Sequence, residues 1–190
     1  MDAELTELEA ALTQGLRVDL APEDGILAFE RHQLLAIRFH RVSRLSGPTK
    51  LGEGARWRLF FSEYFPRGDE HAQLLWTQWR VPLLKDDAPG AGVVISRGQP
   101  DPHWQMVLPQ PRRLFINLES MWSDYEASVA RFIDACRSSA SHRDRALKRW
   151  RRWTVQMVSY VDPHRFGMGP ASAAASVSWS TTTARRINPR

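Results

Sequence analysis

LFINLESMWSDYEASVARFIDAC, residues 114 to 136, changes its hydrophobic period partway along. Leu114-Phe115-Ile116 is an apolar run of strand length. From there Leu118, Trp122, Tyr125, Val129, Phe132, Ile133 and Cys136 recur at steps of three and four, which gathers them on one helical face, with Asn117 or Ser120 as the cap. Short strands and amphipathic helices therefore share one chain.

Upstream, Gly92-Val93-Val94-Ile95-Ser96 and Trp104 to Leu108 read as two more short strands, with prolines at 100, 102, 109 and 111 breaking the chain around them. Trp57, Leu59 and Phe61 alternate with Arg56, Arg58 and Phe60, the period of a half-buried strand. Residues 26 to 45 fit either period: Ala28, Leu35, Phe39 and Val42 make a helical stripe, while Leu35, Ile37 and Phe39 alternate. SGPTKLGEG, residues 46 to 54, is a loop. Asp69 is placed to cap a helix carrying Ala72, Leu75, Trp76, Trp79 and Leu83, which Pro82 should end or kink. At the start of the chain, Leu5, Leu8, Leu12 and Leu16 make a helical stripe behind an acidic first turn, where the helix dipole favours negative charge.

The element order gives an α+β fold: a single small domain over residues 1 to 162, with a short irregular sheet and several amphipathic helices. Residues 163 to 190 are small, polar and repetitive, and read as a flexible, disordered basic tail. The eight tryptophans are expected mostly in the core.

Charge is distributed unevenly along this chain. Residues 1 to 136 hold 15 Lys and Arg against 19 Asp and Glu, whereas residues 137 to 190 hold 11 against 2, a change from −4 to +9. The basic end includes RDRALKRWRRWTVQMVSYV, residues 143 to 161, which on a helix separates Leu147, Trp150, Thr154, Met157, Val158 and Val161 from a basic side. Arg outnumbers Lys 23 to 3 over the whole chain, which fits phosphate recognition but also the codon use of a GC-rich genome.

The leading functional reading is a non-catalytic protein that contacts nucleic acid, DNA or RNA, mainly at its phosphates. Its site residues are Arg143, Arg145, Lys148, Arg149, Arg151 and Arg152, joined by Arg185 and Arg186. A second reading is an interaction or assembly factor in which the acidic N-terminal and basic C-terminal helices pair, with an acidic protein surface as the partner. A third is a metal-dependent or acid/base enzyme using His71 and His103 with Asp69 and Asp101.

Other chemistries lack their residues. The single cysteine, Cys136, excludes an intramolecular disulfide and a multi-cysteine metal site. There is no phosphate-binding glycine loop and no Gly-x-Ser-x-Gly turn, no cofactor is expected, and no metal ligands are assigned. The acidic opening MDAELTELEA is unlike a targeting sequence, and no apolar run is long enough to span a bilayer, so the chain reads as cytoplasmic and bacterial-like. No stretch resembles a known family, and oligomeric state is not legible.

Overall fold

The computed structural model describes residues 2–13, 25–86, 88–98, 102–108 and 111–160, the side chains of 2, 25–28 and 155–160 excepted. The expected tail 163–190, with Trp179, Arg185 and Arg186, lies outside them, as do Leu16 and Asp101. The fold is α+β and mostly helical, with one small mixed sheet. The chain divides into two compact units, Met1–Arg151 and Arg152–Arg190.

In the first unit α1 (Asp2–Thr13) buries Leu5, Leu8 and Leu12, the stripe expected from its spacing. The ambiguous segment is α2 (Gly25–Ser46), and Leu35, Phe39 and Val42 are fully buried along it while Ile37 is only half-buried, so the helical period wins. Phe39 is the centre of the core. Its ring meets those of Trp57, Phe60, Phe61, Phe65, Trp79 and Tyr125 at centroid distances of 5.0–6.4 Å.

The strand expected around Trp57 is instead α3 (Glu53–Tyr64). Its buried residues are Trp57, Phe60, Phe61 and Tyr64. A strand would have sent Phe60 and Phe61 to opposite faces, whereas a helix turns both, with Trp57 and Tyr64, onto Phe39 and its neighbours.

The next helical run is composite: α4 (Ala72–Leu74), a π-helical turn (Leu75–Arg80) and α5 (Val81–Lys85). Asp69 does not cap it with its side chain; its backbone carbonyl accepts from Ala72 N–H at 2.9 Å, and His71 occupies the capping position. Nor does Pro82 end it. The ring removes the N–H that Gln78 O would receive, and Gly90 N–H supplies one from outside the helix at 2.6 Å. The Val81 N–H reaches back to Trp76 O, so the turn before the proline is widened rather than broken.

The sheet has the order β1-β3-β2. β1 (Val93–Ser96) runs parallel to β3 (Arg113–Asn117), and β2 (Met106–Val107) runs antiparallel to it. β2 is shorter than the expected Trp104–Leu108, and Trp104 itself holds a left-handed backbone with φ +65° rather than an extended one. β3 passes directly into α6 (Leu118–Ser138), whose cap is Asn117, its side chain accepting from Ser120 N–H at 2.9 Å. Every residue of the expected stripe on α6 is buried. Tyr125 Oη donates to Leu12 O at 3.1 Å, tying α6 to the end of α1.

α7 (Ala140–Tyr160) starts three residues before the basic segment and crosses the boundary between the units. Trp57, Trp79 and Trp122 are core, but Trp76, Trp104, Trp150 and Trp153 are only half-buried, a correction to the expectation that most would be enclosed. No helix among the described residues is long and apolar enough to cross a membrane.

Candidate nucleic-acid interface

α7 presents Ala146 and Leu147 to the core, which turns its cations sideways and outward. They are not equivalent. Arg145 Nη1 donates to Ser46 O at 3.2 Å, and Arg149 Nη1 donates to Arg44 O and to Leu45 O, the latter at 3.2 Å. These carbonyls end α2, where intrahelical donors run out and the dipole is negative, so two arginines of α7 complete the C-terminus of another helix.

Arg151 lies elsewhere, making a two-pronged contact to Glu4 of α1, Nε to Oε1 at 2.8 Å and Nη2 to Oε2 at 2.6 Å. This bond raises the Arg151 pKa and lowers that of Glu4. Arg137 of α6 reaches Glu9 at 2.7 Å. Acidic α1 thus meets the basic end of the chain within one molecule. Lys148 and Arg152 are exposed, with no ion pair to either among the described residues, and Arg143 is half-buried with its Nε unbonded.

The surroundings of Arg149 contain residues that counting charge by chain segment had hidden. Its pKa is lowered, first by burial and then by the charges of Arg56, Arg145 and Arg44. Arg44 comes from the last turn of α2 and Arg56 from the first turns of α3, and both belong to the stretch whose net charge is negative. The tight 47–52 connection brings them together: a Cβ on Gly47 would stand 2.7 Å from Arg56 Cγ, so the stem of Arg56 lies directly across that glycine. Glu53 is a carboxylate near this group, 4.0 Å from Arg44 and from Arg80 and 3.8 Å from His40.

The histidine set sits at the other end of α3. His103 is buried; Asn117 N–H donates to its Nδ1 at 3.0 Å, so Nε2 carries the proton it offers Asp124 Oδ2 at 3.1 Å. Arg67 Nε donates to the same carboxylate oxygen at 2.6 Å. Both nitrogens of His103 are therefore engaged in fixing the β3–α6 junction. His71 is half-buried and Asp69 exposed, and the rings of His71 and His103 each lie against Trp104, at 5.4 and 6.0 Å. Among the described residues, no group of three His, Cys, Asp or Glu could hold a metal. Asp124 went unnoticed in the sequence because it lies among the buried residues of α6, next to Tyr125.

Cys136 is buried on α6, and burial pushes its thiol up to about 11, away from nucleophilic use. No protein-family model, curated protein or solved structure matches the chain.

Proposed function

We propose that the protein binds nucleic acid through phosphate contacts, using Arg44, Arg56, Arg145, Lys148 and Arg149 of the first unit. Arg143, Arg151, Arg152, Arg185 and Arg186 are further candidate phosphate contacts, Arg151 with its guanidinium already engaged by Glu4. One observation carries this reading: Arg145 and Arg149 of α7 bond the carbonyls that end α2, where Arg44 of α2 stands and the Arg56 stem of α3 crosses Gly47, with Glu53 as a carboxylate 4.0 Å from Arg44. Glu53 can offset one of these charges, and a phosphate chain supplies anions for the others.

Such contacts give affinity with little sequence preference. About four neutralised phosphates correspond to a log–log salt slope near −3.6 on duplex DNA. Fluorescence anisotropy with labelled DNA and RNA from low to physiological salt tests this: a steep slope supports the reading, and no binding at low salt rejects it.

A second reading, assembly, draws on the Glu4–Arg151 and Glu9–Arg137 pairs, whose exposed partners could exchange between two copies. Salt-sensitive dimerisation in sedimentation, without nucleic-acid affinity, would favour it over the first.

A further inference from the structure

We propose that the α2–α3–α7 junction is a binding point for a doubly charged phosphate group, the terminal phosphate of a nucleic-acid strand, held by Arg44, Arg56 and Arg149. The inference rests on the reading of the protein as a nucleic-acid binder and goes further in naming which phosphate occupies this point.

The three side chains are held by different means. Arg149 is anchored through Nη1 to the last carbonyls of α2, while its Nη2 is buried and makes no bond. Arg56 is laid across Gly47, and its Nε is likewise unbonded. Arg44 stands on the α2 turn whose carbonyl holds Arg149, with half its side chain exposed. Arg145, bonded to Ser46 O, adds a fourth positive charge beside them. The unbonded Nη2 of Arg149 and Nε of Arg56 are enclosed, and enclosed donors without a partner are costly, so an anion that reaches them gains bonds the protein leaves unmade.

Charge selects the ligand. Glu53 can offset one of these cations, leaving an excess greater than an internal phosphodiester, with its single negative charge, would neutralise. A terminal phosphate carries about −1.5 to −2 at pH 7 and offers three oxygens to donors arriving from different directions. A carboxylate has one charge and two oxygens in one plane, which suits a single arginine better than three. Exposed Lys148, next to Arg149 in α7, would meet the diester that follows.

The test uses the full-length protein and three versions of one labelled single strand, bearing a 5′-phosphate, a 3′-phosphate or neither. Phosphorylated strands should bind about tenfold tighter, the scale of one additional charge-assisted contact. Arg56→Gln should abolish the difference. Gly47→Ala, which keeps every charge but displaces the Arg56 stem, should abolish it too, while binding of the unphosphorylated strand persists.

Lys148→Gln should weaken all three strands alike. Equal binding of the three strands by the wild-type protein overturns the terminal-phosphate assignment while leaving general phosphate contact intact, as does a preference that survives both Arg56→Gln and Gly47→Ala. Thermal stabilisation by inorganic phosphate with no strand bound assigns the point to free phosphate, and it overturns the strand-end assignment and the proposed function together.

Discussion

Phe39 receives six aromatic neighbours from α3, the π-helical turn, α6 and the chain just after α3, so its removal would open a cavity where those elements meet. Phe39→Ala should cost about 3–5 kcal/mol in chemical denaturation. His32 makes a different kind of prediction. It is buried on α2, edge-on to Trp79, with Nε2 3.3 Å from Ser96 O, and burial pulls its pKa down to about 4. Between about pH 6.5 and 4 the unfolded chain takes up a proton that the folded chain refuses, so stability falls as pH drops through that window and this loss is complete below it. For His32 the total is up to about 3 kcal/mol. His40, pulled down to about 4 by burial and by Arg80, acts in the same direction. Urea denaturation at pH 7 and pH 5 should show the wild-type protein losing stability and His32→Gln losing less. Equal losses would mean that His32 is not the responsible group.

Among the elements, α6 was readable because seven apolar residues repeat over five turns, leaving the strand period no way to accommodate them. α3 was misread because Arg56 and Arg58 made Phe60 look like part of a polar face, and only tertiary packing shows Phe60 and Phe61 buried together. Pro82 signalled an irregularity in this helix but not that the helix would continue through it, since the donor that satisfies Gln78 O comes from Gly90, beyond the helix. That contact explains why position 90 is glycine: a Cβ there would crowd the Gln78 side chain and stand 3.2 Å from its Cα. Gly90→Ala should therefore destabilise the protein by about 1–3 kcal/mol. On α7, Lys148→Gln should flatten the salt slope of nucleic-acid binding by about 0.9. Arg151→Gln should flatten it by less, because its guanidinium is already engaged by Glu4.

Across the whole molecule, position along the chain is a poor guide to where charge gathers. The α+β class and the basic end were legible from the order of elements and from a count of residues. The cluster was not, because it depends on the α2–α3 turn bringing Arg44 and Arg56 out of a net-acidic stretch to meet Arg145 and Arg149. The same folding places acidic α1 against Arg137 and Arg151, so part of the charge counted as available is already paired. The candidate site is thus smaller on α7 than its sequence suggests and extends onto the body. The most direct test is fluorescence anisotropy of full-length wild-type protein and Arg56→Gln with labelled duplex DNA over a range of salt. A slope near −3.6 is expected for the wild type, shallower by about 0.9 in the variant. Failure of the wild type to bind, or an identical slope in Arg56→Gln, would contradict it.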